Sequence, residues 1–135
     1  MYSKTILDRF QNPRHAGSMH GANASGQAGG TNGEDLMKMY FVISNRETIE
    51  NARFKTFGCC VSIAALDVAC DLLVGKSLEA AVEISNKDLE KVLGEVPAHK
   101  KICLDLTIDC IRSTIDDYYA RKEKEIKKAK RKASL

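Results

Sequence analysis

The sequence predicts an α+β fold, in which a small antiparallel sheet of about three strands is covered on one face by helices. Two segments in the first half alternate apolar and polar residues, as half-buried strands do. The second half repeats apolar residues at helical spacing instead. With 135 residues and 44% hydrophobic content, the chain matches the length and core of one domain, residues 1–135.

The first predicted element is a short amphipathic helix from Tyr2 to Phe10. It ends near Pro13, because the residue before a proline is pushed out of the helical region. Residues 17–33 carry six of the nine glycines, and we expect them to form a flexible loop or a weak edge strand. His15 and His20 lie near this segment and are expected to be solvated polar residues.

A β-hairpin is predicted next. From Leu36 to Ser44, apolar positions alternate with more polar ones, and a second strand from Thr48 to Phe57 returns after a turn at residues 45–47. The two segments are close in the chain and both alternate, which favours antiparallel pairing.

Helices are predicted for most of the remaining chain, with glycine, serine or proline at their ends. The last and longest carries an apolar stripe that fades into a basic tail: Leu104, Ile108, Ile111, Ile115 and Tyr118 or Tyr119. The predicted helices cover Cys59 to Val74, Leu78 to Glu83, a segment capped by Ser85 or Asn86 and reaching Leu93, and about Lys101 to Lys130.

Composition argues for a cytoplasmic protein without a membrane partner. No apolar run reaches the roughly 18–20 residues of a membrane span, and no apolar segment of a secretory signal follows Met1. Five cysteines are an odd number without the spacing of a disulfide framework, so we expect buried, catalytic or metal-bound thiols. Cys70 and Cys110 are expected to be structural.

The positive charge is concentrated at one end. Residues 121–132 hold eight Lys or Arg and two Glu, a local charge of +6, whereas the whole chain carries +3. The remainder is therefore −3 by subtraction, which makes a nucleic-acid partner unlikely. We interpret residues 121–135 as a basic extension of the last helix or a basic tail.

Two distant cysteines lie where helices are predicted to begin. Cys59 follows a strand and Gly58, and Cys103 stands where the long C-terminal helix begins. A helix N-terminus offers unpaired N–H groups and a partial positive charge, and both favour a thiolate over a thiol. This pattern is typical of metal-binding or nucleophilic cysteines in a site that folding assembles.

The sequence resembles the U-type scaffold proteins of iron–sulfur cluster assembly, the family of IscU and the NifU N-terminal domain. The resemblance covers nearly the whole chain. The segments that carry it are Asn12-Pro13-Arg14, Gly33-Glu34-Asp35-Leu36-Met37-Lys38, Ala52-Arg53-Phe54-Lys55-Thr56-Phe57-Gly58-Cys59, Val74-Gly75-Lys76-Ser77-Leu78 and the helix at Cys103.

The resemblance implies a function and a ligand set. Family members receive sulfur from a cysteine desulfurase, gather iron, build a [2Fe–2S] cluster on three cysteines and pass it to acceptor apoproteins. Cys59 and Cys103 match two of those cysteines, and Asp35 matches an aspartate of the site. Gly33 stands at the position of the remaining cysteine, and Ile102 stands at that of a histidine.

Two residues are candidate substitute ligands. Cys60 follows Cys59 directly and is either a ligand or a small buried hydrophobe. His99 precedes Cys103 by four residues and is either a donor or an exposed loop histidine. Asp35 is either a metal ligand or a cap for its loop. Two thiolates and a carboxylate suit one Zn²⁺ or Fe²⁺ ion, with water as the fourth ligand.

Two functional hypotheses follow, neither of which is an enzyme. The first is a cluster-assembly scaffold with an altered ligand set. The second is a non-building paralogue that binds a single metal such as zinc, or that docks to the assembly machinery. A homodimer could complete a cluster. A dedicated chaperone is doubtful, because only Pro97 and Lys100 remain of the segment that such a chaperone binds in the family.

Overall fold

The computed structural model describes residues 2–31 and 35–133. This part of the chain forms an α+β fold, as predicted, with three strands, five α-helices and one turn of 3-10 helix. The elements are α1 (Lys4–Gln11), β1 (Ala24–Gly29), β2 (Leu36–Ile43), β3 (Ile49–Phe57), α2 (Cys60–Leu73), α3 (Leu78–Ala81), α4 (Asn86–Leu93), the 3-10 turn Ala98–Lys100 and α5 (Ile102–Ala133).

The three strands form one antiparallel sheet in the order β1-β2-β3. Met39 of β2 lies opposite Gly26 on one side and Phe54 on the other. Met37, Met39 and Phe41 are fully buried, whereas the residues between them are more exposed. The predicted hairpin is therefore confirmed, and the glycine-rich segment supplies an edge strand rather than only a loop.

Helix α5 covers the sheet at β1. A Cβ atom built on Gly26 would lie 2.5 Å from the backbone nitrogen of Thr114, so only glycine lets the strand and the helix approach this closely. The apolar stripe on α5 is buried as predicted, and the structure decides between its two tyrosines: Tyr118 is buried and Tyr119 is exposed.

Helix α2 is nearly all apolar and buries a single carboxylate, Asp67. This group accepts hydrogen bonds from the side chain of Arg9 at 2.8 Å and from the backbone N–H groups of Arg14 at 2.8 Å and His15 at 2.9 Å. Asp67 thereby fixes the chain after α1 against α2. The ring nitrogen Nε2 of His15 also lies 2.6 Å from Oδ1 of Asp71. The expectation that His15 is merely a solvated residue was therefore wrong.

Helix ends follow local capping and shift some predicted bounds. The Ser3 side chain accepts a hydrogen bond from the Ile6 N–H at 3.1 Å, so α1 begins after Ser3 rather than at Tyr2. Ser85, not Asn86, caps α4, and the Asp88 carboxylate accepts a hydrogen bond from the Ser85 N–H at 2.9 Å. Helix α3 is a single turn.

The last part of α5 extends beyond the core. From residue 123 to residue 133 the helix is exposed along its whole length, although it is continuous with the buried part. None of the helices among the described residues is both long and apolar enough to span a membrane.

Candidate metal centre

The two predicted cysteines meet because two helices begin at the same place. Cys59 is the extended N-cap residue of α2, and Cys103 lies in the first turn of α5. Their sulfur atoms are 3.8 Å apart, although 44 positions separate the residues in the chain. Cys59 is partly exposed and Cys103 is buried, so the pair is reached from the Cys59 side.

Asp35 brings a carboxylate to the same point from the residue before β2. Its Oδ2 accepts hydrogen bonds from the Cys59 N–H at 3.2 Å and from the Ser62 hydroxyl. The Cys103 thiol donates to the same oxygen at 3.8 Å. One ligand atom from each of Asp35, Cys59 and Cys103 lies within 4.8 Å of the other two.

Gly58 makes room for this carboxylate. A Cβ atom built at position 58 would lie 2.7 Å from Oδ2 and 2.8 Å from Cγ of Asp35. Both contacts are shorter than nonbonded atoms tolerate, so a side chain at position 58 would displace Asp35. The glycine between β3 and α2 is therefore required by the packing of the site.

The environment separates the pKa values of the two thiols. Burial opposes ionisation of Cys59, but contacts with the Ser62 N–H and hydroxyl and with the Cys103 thiol outweigh it and lower its pKa. Burial raises the pKa of Cys103 to about 11, and the neighbouring Cys59 adds to this effect. In the metal-free protein, Cys59 is therefore the more acidic thiol.

The groups around the site stabilise negative charge on Asp35 and Cys59. Burial opposes ionisation of Asp35 as well, yet the Ser62 hydroxyl and the Cys59 N–H lower the pKa of this carboxyl. Lys100 lies close enough to the two cysteines that the negative charge of Cys59 raises its pKa. Its ammonium group is therefore a cation beside Cys59 and Cys103.

The spacing of the donors fits one tetrahedral ion. Two metal–sulfur bonds of about 2.3 Å at a tetrahedral angle place their sulfur atoms about 3.8 Å apart. The observed separation of the Cys59 and Cys103 sulfurs is 3.8 Å. Thiolates together with a carboxylate are suitable ligands for Zn²⁺ or Fe²⁺. The three residues therefore fit a single ion with a fourth position left for another ligand.

The two candidate substitute ligands lie outside this group of three donors. Cys60 begins α2 and contacts the Tyr2 hydroxyl instead, partly buried against the core. His99 lies in the 3-10 turn and is exposed. Gly33 lies outside the described residues, and Ile102 is about half exposed.

The remaining two cysteines, Cys70 and Cys110, are not part of the group formed by Asp35, Cys59 and Cys103. Cys70 and Cys110 are fully buried, and burial raises the pKa of Cys70 well above its ordinary value and that of Cys110 to about 12. Both are packed thiols, as expected.

Ser62 is a residue of the site that the sequence analysis missed. It is fully buried, and its hydroxyl contacts both Asp35 and the Cys59 sulfur, the latter at 3.7 Å. Its position three residues after Cys59 is a usable signal, because residues at this spacing share one side of a helical turn.

Comparison with known proteins identifies the family. The family model for the NifU-like N terminal domain matches residues 1–125. The chain is 37% identical over 130 residues to iron-sulfur cluster assembly scaffold protein IscU 1 of Archaeoglobus fulgidus, covering 96% of this chain and 84% of that protein. It is 36% identical over 125 residues to the scaffold protein IscU of Escherichia coli, covering 90% of this chain and 97% of that protein.

Solved structures share the fold. A putative iron-sulfur cluster assembly scaffold protein for the SUF system from Fervidobacterium islandicum superposes with a TM-score of 0.71 at 20% identity, covering 84% of this chain and 96% of that one. A nitrogen-fixing NifU-like protein (N-terminal) from Brucella abortus gives 0.67 at 15% identity, covering 87% and 94%. The resemblance found in the sequence is confirmed: this chain belongs to the NifU-like N-terminal domain family.

Proposed function

We propose that this protein is a scaffold for iron–sulfur cluster assembly, and not an enzyme. The observation that carries the proposal is the convergence of Asp35, Cys59 and Cys103 within 4.8 Å of one another. The relatives named above are iron-sulfur cluster assembly scaffold proteins, and a scaffold needs ligands that can hold iron or sulfur and then release it.

The proposed role of each residue follows from its chemistry. Cys59 and Cys103 would share one iron or accept sulfur, because their sulfurs have the spacing of two ligands of one metal ion. Asp35 offers a harder oxygen ligand, which binds ferrous iron less firmly than a thiolate does and so eases release. Iron and sulfur are cargo here.

The form of the cluster requires donors beyond this group. A [2Fe–2S] cluster normally has two protein ligands on each iron, and the two sulfurs at 3.8 Å suit one iron only. We propose that the second iron is held by a second copy of the chain, which makes a homodimer the cluster-bearing form, or by an acceptor protein during transfer.

The proposed partners are a cysteine desulfurase and acceptor apoproteins in the cytoplasm. Protein partners are supported by exposed apolar surface beside the site. Phe57 is 84% exposed and lines an open groove of about 570 Å³ together with Phe10, Leu36 and Tyr40. Exposed apolar patches of this kind are typical of protein–protein contacts.

Anaerobic reconstitution tests the proposal. Protein incubated with ferrous iron and sulfide should acquire the visible absorption of an iron–sulfur cluster and bound acid-labile sulfide. Cys59→Ser and Cys103→Ser should each abolish both signals, while the matched control Cys70→Ser, at a buried position outside the site, should retain them if it folds. A wild-type protein that stays colourless and binds no sulfide would overturn the proposal.

The alternative is a paralogue that holds a single metal such as zinc. The observation that favours it is that the grouping among the described residues contains only three protein donors, which suffices for one four-coordinate ion with an exogenous ligand. Metal analysis of freshly purified protein distinguishes the two proposals: the alternative expects about one zinc per chain and no sulfide after reconstitution.

A further inference from the structure

We propose that Ser62 is a positioning residue of the metal centre: its buried hydroxyl holds the Asp35 carboxylate in the orientation from which it binds metal beside Cys59 and Cys103. This inference rests on the proposed function, since it assumes that the three donors bind a metal ion.

The first support is the burial of Ser62. Its exposure is 0%, although it lies in the first turn of α2 next to the partly exposed Cys59. A buried hydroxyl requires a hydrogen-bond partner, because leaving it unpaired costs about 1–3 kcal/mol. The partners that Ser62 has are Asp35 Oδ2 and the Cys59 sulfur, so the hydroxyl is committed to the site.

The second support is the way in which Asp35 is held. Asp35 immediately precedes β2, and its carboxylate reaches from there to the start of α2. Two groups at the start of α2 donate hydrogen bonds to this carboxylate, the Cys59 N–H at 3.2 Å and the Ser62 hydroxyl. Gly58 leaves the space that the carboxylate occupies.

The Ser62 hydroxyl orients the Asp35 carboxylate and still leaves it able to bind a metal ion. A carboxylate has two oxygens and about four lone-pair positions, so hydrogen bonds to Oδ2 leave acceptor positions for a metal ion. Carboxylate ligands are commonly held by such outer hydrogen bonds, and removing one typically lowers metal affinity about 10–100-fold. We therefore expect Ser62→Ala to weaken metal binding and not to strengthen it.

Cobalt(II) titration of the full chain, with affinity measured by chelator competition, tests the inference. Four variants form a cycle: wild type, Ser62→Ala, Asp35→Ala and the double variant. Ser62→Ala should bind cobalt about 10–100-fold more weakly than wild type, with its sulfur-to-cobalt charge-transfer absorption retained. In the Asp35→Ala background, Ser62→Ala should cost much less affinity than it does in wild type, because most of its effect passes through Asp35.

A second readout requires no metal. The Cys59 amide proton donates to the same carboxylate oxygen, so its NMR chemical shift should move in metal-free Ser62→Ala. Ser113→Ala, on α5, serves as a matched control and should change neither the affinity nor this shift. Thermal unfolding of each variant verifies that it is folded.

The outcomes separate this inference from the proposed function. Wild type that binds cobalt with an affinity that Ser62→Ala leaves unchanged overturns the positioning role alone. An equal loss of affinity with and without Asp35 also overturns it, since Ser62 would then act by another route. Wild type that binds no cobalt overturns the inference together with the metal site.

Discussion

Cys59 and Cys103 are the same residue type in one site, yet their surroundings give them different chemistry. Cys59 is partly exposed at a helix N-terminus and receives polar contacts from Ser62, which lower its pKa. Cys103 is buried, and burial raises its pKa to about 11. Since the thiolate is the reactive form, the two cysteines should differ in reactivity at neutral pH.

Limited alkylation of the metal-free protein should therefore modify Cys59 before Cys103. A lowered pKa means that the thiolate fraction of Cys59 becomes large at a lower pH than for an ordinary cysteine, whereas Cys103 stays protonated until about pH 11. Iodoacetamide labelling between pH 6 and about pH 9, followed by peptide mass spectrometry, measures both rates. Faster labelling of Cys103 across this range would show that the assignment of the acidic thiol is reversed.

At the level of single residues, the sequence predicted that Asp35, Cys59 and Cys103 come together, but not what holds them. The predicted helix starts indicated Cys59 and Cys103, and the family resemblance indicated these two cysteines together with Asp35. Ser62 and the space at Gly58 were not, because their importance depends on where the Asp35 carboxylate crosses to α2. Such a crossing joins positions 27 apart in the chain, which local patterns do not encode.

The elements were predictable where one face of each is apolar. Alternation in β2 and β3 and the stripe on α5 gave those elements their correct type, because burial on one side imposes a period on the sequence. The glycine-rich β1 carries no such period, and its assignment as a strand depends on pairing with β2 and on the close approach to α5 at Gly26. The short helix α3 ends at Ala81, two residues before the predicted end at Glu83.

The link between α1 and α2 was also missed. It consists of the fully buried Asp67 with Arg9 and two backbone N–H groups of the following segment. An aspartate on the buried side of an apolar helix requires a polar partner, but the sequence alone does not say which cation or amide supplies it.

Asp67→Ala should lower the free energy of unfolding by about 1–3 kcal/mol, the cost of leaving buried donors without an acceptor, since Arg9 keeps its ion pair with Asp71. The Arg14 and His15 N–H groups would lose their acceptor at the same time. Urea denaturation followed by circular dichroism measures the change. Asp109→Ala, at an exposed position of α5, is the matched control and should change stability by less than about 0.5 kcal/mol. A comparably small effect of Asp67→Ala would refute this role.

On the scale of the whole molecule, the site lies where the sheet and two helix N-termini converge, whereas the strongest positive charge lies elsewhere. The basic residues of α5 after Lys122 belong to an exposed stretch of helix. We propose that this stretch is an extension that contributes little to folding, since its side chains bury little apolar surface.

Removing residues 123–135 should therefore leave the fold and the site intact. The shortened chain retains Arg121 and Lys122, which contact Asp117 and Tyr118. We expect its free energy of unfolding to differ from that of the full chain by less than about 1 kcal/mol, and its metal affinity to be unchanged. Chemical denaturation and cobalt titration check both expectations. A large loss of stability would show that the extension is part of the folded core.

We expect Asp35, Cys59 and Cys103 to bind one metal ion together. X-ray absorption spectroscopy at the zinc edge, on protein loaded with one equivalent of zinc, tests it most directly. The zinc ion should have two sulfur neighbours at about 2.3 Å and oxygen or nitrogen neighbours at about 2.0–2.2 Å, with one sulfur lost in Cys103→Ser. A zinc ion surrounded only by oxygen and nitrogen, or a spectrum unchanged in Cys103→Ser, would contradict it.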